Sequence, residues 1–577
     1  MKMELPITEQ SNSLSSNIDI QGSDGILRIL KQCDAEIFNG WKQHKSLYDF
    51  ASSLENLSIM AAKIIKNDRG IVVMSGCGTS GRLGFITARS FNQVFPGKFH
   101  YTIAGGDRAL LLSTEAPEDS WTDGVRDLEK VSTSFEEVLF IGITCGLSAP
   151  YVAGQLDYCM KHLEKFCPVL LGFNPVELAR QVSIRNWDKT FYDVATAMRS
   201  LGEPKCYIIN PVIGPEPITG SSRMKSGSAT KIILETLFIL SANRVMELEP
   251  QCRASDIFLS YEILLRCTYL QSKSISRLLK AAGNTFCTGG RVCYLGRDTE
   301  GILGVVDASE CPPTYGADYD DIRGFLQKSW SALRNNEGDL SQRGPLFNLD
   351  WEYFKAEVLP LLSEKDCVIF VGVSPNDAKD LLQLIQEKTC TIGMITTSSP
   401  ENTIKDPANI ISVSISVASE AIEALLPSSF ISSSLFTNAA SSRFIVSLMS
   451  GMCIKWSLNA ISTGAHIAKG KVLGNKMIDL QVSNTKLYYR SIGIIQELTG
   501  ASRHVAEKYL LLSIYGSDTE LPTTDEEVLS HISAATGKPL IVPTAILMIR
   551  KSDLSVEGAR EWLRNQPVLR KGLNNEL

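Results

Sequence analysis

The sequence predicts an α/β protein: two tandem parallel-sheet domains followed by a C-terminal helical cap. Three observations carry this expectation. Short β-branched runs alternate with helical patterns over residues 51–250, the signature of a parallel sheet covered by helices on both faces. A segment around residue 300 repeats the pattern of one around residue 80, which doubles that domain. Beyond residue 470 the pattern turns helical and is punctuated by Pro522, Pro539 and Pro543.

Residues 1–50 open with a polar leader, Leu5-Pro6-Ile7-Thr8-Glu9-Gln10-Ser11-Asn12, and continue in a helical pattern from Ile26 to Trp41. In the first α/β domain, residues 51–250, strands are expected at Gly70–Met74, Phe99–Ala104, Glu137–Ile141, Pro168–Phe173 and Cys206–Asn210. Helical patterns at Leu54–Ile65, Ala149–Lys165 and Ala229–Met246 lie between or after them. Ligands on such sheets bind beyond the carboxyl ends of the strands.

The first strand runs into Ser75-Gly76-Cys77-Gly78-Thr79-Ser80-Gly81-Arg82, where a glycine turn meets a helix start. That combination makes an anion cradle: glycines admit the backbone, amides at the helix start point at the ligand, and the helix dipole favours negative charge. Gly76, Gly78 and Gly81 also fit the dinucleotide G-x-G-x-x-G pattern, which expects an acidic residue closing the next strand. The region from Lys98 to Ile103 has none before Asp107, so the Thr79–Ser80 hydroxyl pair favours a small phosphate ester. A tight turn without a ligand is the remaining alternative. A second loop, Gly142-Ile143-Thr144-Cys145-Gly146-Leu147-Ser148-Ala149-Pro150, again combines glycines, hydroxyls and a helix start, with Pro150 suited to a first helical turn. Two such loops on adjacent strands could clamp one phosphoryl group.

The second domain, residues 251–470, begins the repeat. Arg291–Gly304 lines up with Ile71–Gly84, and Thr-x-Gly-x-Leu-Gly recurs in both. Asp366–Gly372 with Val373–Asn376 parallels the second loop, and Ser226–Lys231 has a counterpart in Ser450–Lys455. The copies diverge where it matters: Ser80 becomes Glu300 and Arg82 becomes Ile302. A carboxylate in an anion cradle repels the ligand, so the second cradle is expected to be inactive. The Ser-rich stretch from Ile410 to Ala440 reads as a flexible or partner-facing element. Residues 471–577 form the cap, with helices expected at Asn484–Leu498, Arg503–Ser513, Thr544–Arg550 and Val556–Leu563.

The bulk numbers exclude several classes. A net charge of −6 and a pI near 5.7, with no basic run, argue against nucleic acid. No uninterrupted apolar stretch reaches membrane-spanning length. The 14 cysteines include no C-x-x-C pair, which points to reduced thiols in a cytosolic or nuclear protein and away from a disulfide framework or a zinc site. Neither a metal nor a cofactor is expected.

Two charge clusters remain. Ala104-Gly105-Gly106-Asp107-Arg108 is followed by Thr114-Glu115-Ala116-Pro117-Glu118-Asp119-Ser120, readable as a solvated loop or helix cap. In the second copy Glu310 stands just before Pro312 and Pro313.

Here the chain resembles the bacterial N-acetylmuramic acid 6-phosphate etherases. The resemblance lies in Gly78–Gly84, Gly220-Ser221-Ser222-Arg223-Met224-Lys225, Glu118-Asp119-Ser120, Asp307–Gly316, and Ser462-Thr463-Gly464 through Gly470-Lys471-Val472. Those enzymes carry a sugar-isomerase (SIS) domain, flavodoxin-like in its parallel sheet. The tandem arrangement, with Leu5–Asn12, Ala104–Arg108 and Gly146–Pro150, is similar to the eukaryotic glucokinase regulatory protein family, a fused and diverged relative of the etherase dimer.

The resemblance implies that Gly78, Thr79, Ser80, Thr144, Gly146 and Ser148 surround a phosphoryl group, with Arg223 and Lys471 supplying positive charge. Glu115, Glu118 and Glu310 join the ligand-binding set. In the etherase one glutamate removes a proton and another protonates the departing lactate oxygen. Glu118 matches the base. The acid's position is Ser90 in the first copy and survives as Glu310 in the second, so both could line one pocket if the copies pack like the etherase dimer. The same carboxylates could equally bind sugar hydroxyls.

The implied function is a monomeric regulator, an internal pseudo-dimer, that inhibits a glucokinase-type hexokinase. Fructose 6-phosphate would promote inhibition and fructose 1-phosphate relieve it, with the kinase contact on the cap and residues 410–440. The alternatives are a working etherase and an aldose–ketose isomerase, the latter lacking a histidine in any cradle loop.

Overall fold

The computed structural model describes residues 5–44, 46–112, 116–247, 252–398, 410–417, 439–518 and 528–572. Apolar runs such as Gly70–Gly76 are buried along their whole length, as strands covered on both faces must be. Five of them form the first sheet: β1 (Gly70–Gly76), β2 (Phe99–Ile103), β3 (Glu137–Ile143), β4 (Phe166–Leu171) and β5 (Tyr207–Ile209). All are parallel, in the order β2-β1-β3-β4-β5. The second sheet contains β6 (Val292–Gly296), β7 (Ile322–Leu326), β8 (Cys367–Val371), β9 (Thr391–Ser398) and β10 (Ile410–Ser416). Its order is β10-β9-β8-β6-β7, which is the first sheet's 2-1-3-4-5 topology over again. The registers agree too: Gly76 pairs with Ile103 and Ile143, and Gly296 with Leu326 and Val371. In this topology the strand order reverses between the first and third strands, and the crevice there is where ligands bind.

The two copies meet through their helices. Lys225–Val245 from the first and Ala439–Ala468 from the second pack together with Gly78–Phe91 and Asp298–Tyr315. The interface is nearly isologous. Lys455 Nζ donates to Arg223 O at 2.7 Å, and its repeat partner Lys231 Nζ donates to Leu448 O at 3.2 Å. Each ammonium thus closes on a backbone carbonyl of the opposite copy, as two-fold packing requires. Against the expectation of no membrane-length apolar stretch, Phe444–Ala468 is long and apolar enough to span a bilayer, but 83% of its apolar window is buried inside the fold. Its apolarity serves the interface between the copies.

A clasp at the sheet ends holds the copies in register. The Asp107 side chain, 2% exposed, accepts from Tyr101 OH at 2.7 Å, Asn335 Nδ2 at 2.8 Å and Glu337 N at 2.6 Å. Glu337 Oε1 accepts in return from Asp107 N at 2.7 Å. Asp107, at the centre of a cluster readable from sequence as a solvated loop or helix cap, is therefore buried between the two copies, while Arg108 stays exposed.

One other expectation changes. The stretch beginning at Ile410 is not wholly a partner-facing loop: Ile410–Ser416 is edge strand β10, paired along its length with β9. The rest of that stretch, residues 418–438, lies outside the described residues. The polar leader is packed into the fold. Asn12, 2% exposed, donates to Glu36 Oε2 at 2.9 Å and Pro215 O at 3.0 Å, and its carbonyl accepts from Asn475 at 2.8 Å.

The C-terminal region is helical at Thr485–Thr499, Arg503–Tyr515, Val528–Ala535, Ile541–Arg550 and Val556–Asn565. Asn484, Ser502 and Ser555 cap three of these helices, each side-chain oxygen accepting from the backbone amide three residues on, at Leu487, Val505 and Gly558. The nearly all-apolar Ile541–Arg550 helix is buried from Ile541 to Met548 and forms the centre of this layer.

Candidate functional site

A cavity of about 190 Å³ opens beyond the carboxyl ends of β1 and β3, at the topological switch point. Its first wall is the turn after β1. Cys77 is extended, Gly78 adopts φ +49°, and the helix Gly78–Phe91 begins at once. Gly81 is required for a different reason: a Cβ there would lie 2.7 Å from Gly76 O and 2.5 Å from the Ile103 side chain. The helix start can approach the strand only because Gly76 and Gly81 both lack side chains. Thr79, Ser80 and Arg82 face the cavity from this wall.

The second wall is the loop after β3. Thr144 Oγ1 accepts from Ser148 N at 3.3 Å, and Pro150 starts the following helix. Leu147 takes φ +53° with its side chain fully buried, a conformation that costs an L-residue roughly 1–2 kcal/mol. Asn174 Nδ2 fixes the loop by donating to Gly146 O at 3.1 Å and to Thr8 Oγ1 at 3.0 Å. Ser80 Oγ lies 3.6 Å from Cys145 Sγ, so the two loops touch.

The third wall comes from the other copy. Helix Asp298–Tyr315 carries Glu310 to the first cradle, where Thr79 Oγ1 donates to Glu310 Oε1 at 2.5 Å. Arg82 Nη1 stands 3.9 Å from the same oxygen, with both side chains at most 5% exposed. Burial pushes the Glu310 carboxyl above its usual range, against the opposing pull of Arg82 and Arg223. Burial likewise lowers the Arg82 guanidinium, which also donates to Leu110 O and Leu112 O, each at 3.3 Å.

Gly78, Thr79, Ser80, Glu118, Thr144, Gly146, Ser148, Arg223 and Glu310 all line the cavity. Glu118 sits on the turn Ala116–Asp119 at the rim, and Glu115 lies outside the described residues. Two of the expected roles change. Lys471 is not on the cavity: its ammonium pairs with buried Asp479, which also accepts from Leu540 N at 2.7 Å. Arg223 reaches the cavity but its guanidinium is already engaged. It donates to Asp307 Oδ1 at 2.9 Å, Ser462 Oγ at 3.0 Å, Thr463 Oγ1 at 2.9 Å and Tyr315 OH at 3.3 Å. Arg223 is a fixed strut between the copies rather than a charge free for a ligand.

Lining residues that were not assigned a role from sequence include Thr8, Glu9, Arg82 and Arg490. Arg490 Nη2 donates to Glu9 at 2.5 Å, tying the C-terminal helices to the leader across the cavity mouth. No local spacing signals a contact between residues so far apart in sequence. Arg82 did leave a signal, since its change to Ile302 in the repeat marks it as particular to one cradle. In the second copy the corresponding space is filled from within. Gly372 aligns with Thr144 in the strand register, and a Cβ on it would lie 2.4 Å from Glu300 Cβ. Glu300 thus lies across its own cradle.

Comparison with known proteins fits this geometry. Residues 56–160 match the glucokinase regulatory protein N-terminal SIS domain, residues 269–469 its second SIS domain, and residues 474–573 its C-terminal lid domain. The glucokinase regulatory protein of Xenopus laevis is 36% identical over 99% of this chain and 93% of its own length. The chain belongs to the glucokinase regulatory protein family. The human glucokinase regulatory protein is 37% identical over 94% of this chain and 88% of its own. The N-acetylmuramic acid 6-phosphate etherase of Clostridium botulinum is 34% identical over 41% of this chain and 70% of its own length. In this family's terms the two sheets are tandem SIS domains, and the C-terminal helices are the lid.

Proposed function

We propose that this chain is a sugar-phosphate-responsive regulator that binds and inhibits a glucokinase-type hexokinase. Fructose 6-phosphate promotes the inhibitory form and fructose 1-phosphate opposes it. The observation that carries the reading is family membership along nearly the whole chain, joined to one cavity at the switch point of the first SIS domain. The helix start at Gly78, with Thr79, Ser80, Thr144, Gly146 and Ser148, suits a phosphoryl group; Glu118 and Glu310 suit sugar hydroxyls. One chain supplies every wall, so the functional unit proposed is a monomer. Regulation follows only if each sugar phosphate binds the kinase-competent and incompetent states with different affinity. The test is inhibition of a purified glucokinase, titrated with each fructose phosphate. Inhibition should strengthen with fructose 6-phosphate and lose that response in Ser80→Glu; inhibition indifferent to both rejects the proposal.

A second reading, etherase activity, is favoured by one observation: Glu118 and Glu310, the matches to the base and acid, line the same cavity from different copies. Burial pushes the Glu310 carboxyl upward, the direction that favours a general acid. Lactate release from N-acetylmuramic acid 6-phosphate, abolished in Glu118→Gln, would replace the regulator reading.

A further inference from the structure

Lys455, on the second copy's helix Ala439–Ala468, stands beside the first cradle without lining its cavity. A Cβ on Gly227 would lie 3.4 Å from Lys455 Nζ and 3.4 Å from the Thr79 methyl, so the ammonium and that methyl are at most twice this distance apart. The ammonium is buried, and its three protons go to uncharged acceptors: Arg223 O at 2.7 Å, Asn459 Oδ1 at 2.8 Å and Ser228 Oγ at 3.3 Å. Among the described residues it forms no ion pair. The repeat puts a second lysine, Lys231, in the matching place beside the second cradle. There a Cβ on Gly451 would lie 3.7 Å from Lys231 Nζ and 3.3 Å from the Leu303 side chain. Four residues on from each lysine, the first copy has Glu235 and the second has Asn459. Lys231 pairs with Glu235, so its charge is cancelled beside the cradle that Glu300 fills. Lys455 keeps its charge beside the cradle that opens on the cavity.

We propose that Lys455 supplies the positive charge that favours a dianionic phosphoryl group in the first cradle, acting through space and without touching the ligand. The inference rests on the phosphosugar reading of that site. A phosphoryl group held by Thr79 lies within about 10 Å of Lys455 Nζ, and opposite charges at that range attract appreciably where little water intervenes. The cations that line the cavity are already engaged: Arg223 pairs with Asp307, Arg490 with Glu9, and Arg82 faces Glu310. Burial lowers the Lys455 ammonium to about 8, against the upward pull of Glu310, Asp34 and Asp307, while Arg223 adds to the fall. A dianion arriving nearby favours the charged form. Binding is therefore coupled to proton uptake at Lys455 in mildly alkaline solution.

Titration calorimetry of the full chain with fructose 6-phosphate, in two buffers of different ionisation enthalpy from pH 7.5 to 9.5, reads this coupling. The sugar phosphate is itself a dianion throughout that range, so it contributes no proton. If binding raises the ammonium by about one pH unit, the wild type should take up about half a proton near pH 8.5. Its affinity should then fall about sixfold from pH 7.5 to 9.5. Lys455→Gln should bind about eightfold more weakly than wild type at pH 7.5 and lose both the uptake and the pH slope, which a merely structural defect would leave in place. Uptake below about a tenth of a proton in the wild type near pH 8.5 overturns the proposal, a result that needs no variant to fold. Uptake that survives in Lys455→Gln overturns it too, and its loss in Glu310→Gln would move the proton to Glu310. A wild type that fails to bind fructose 6-phosphate at any of these pH values, and behaves no differently from Ser80→Glu, overturns the phosphosugar reading itself.

Discussion

Replacing Asp107 by alanine should loosen the two SIS domains from each other, and the size of the effect follows from its contacts. The carboxylate accepts three hydrogen bonds, from Tyr101 OH, Asn335 Nδ2 and Glu337 N, of which the last two come from the second domain. Hydrogen bonds to a charged group contribute about 1.5–3 kcal/mol each, but the donors near the surface regain water when the carboxylate leaves. Tyr101 is the exception, because its ring is 4% exposed and its hydroxyl also accepts from Asn336 N at 3.0 Å. A net loss of about 3–5 kcal/mol is expected, comparable to breaking a buried charged contact. For a unit of SIS-domain size this lowers the midpoint of thermal unfolding by roughly 6–20 °C. Differential scanning calorimetry measures the shift, and hydrogen exchange at the Asn336 and Glu337 amides locates it. A midpoint within about 2 °C of wild type, with those amides equally protected, would refute the view that this loop joins the copies.

Arg223→Met should cost about 3–5 kcal/mol in denaturant unfolding, because buried Asp307 is left without its ion-pair partner. Lys471→Met should destabilise the lid through Asp479 while leaving affinity for a fructose phosphate within about twofold, as titration calorimetry can check. Burial raises the Asp34 carboxyl from 3.8 to about 6 in the folded chain. The folded state therefore holds a proton that the unfolded state has released, and wild-type stability falls as pH rises from about 4 to about 6. Asp34→Asn, which still offers Tyr269 an acceptor, should gain roughly 1–3 kcal/mol on the wild type across that window and keep the gain above it. Parallel unfolding curves for the two proteins from pH 4 to pH 7 would contradict this.

Much of the fold was legible because strand residues buried on both faces leave unbroken apolar runs, and because the chain writes its domain twice. Glu310 became a site candidate only through that repeat, since nothing local distinguishes it from a structural glutamate. Strand ends were read short: β1 and β3 continue into Gly76 and Ile143, where backbone pairing rather than side-chain character sustains the strand. β10 was obscured because its alternating serines suggest a loop, although Ile410, Val413 and Ile415 turn inward. Charges were the least legible feature. Lys471 and Arg223 sit in glycine-rich runs that pointed to ligand binding, but their partners, Asp479 and Asp307, decide their roles. Which anion a cation meets depends on tertiary packing, and sequence spacing carries no record of it.

The near two-fold contact made by Lys231 and Lys455 has a consequence for dilution and for inheritance. In an assembly of separate subunits a cavity with walls from both partners empties as the protein is diluted, because its occupancy follows the association equilibrium. Covalent tethering removes that dependence, so this pocket persists at any concentration at which the chain stays folded. It also releases each half from its twin. A substitution such as serine to glutamate at the cradle would strike both pockets of a homodimer at once, whereas here Glu300 occupies one cradle and Ser80 remains in the other.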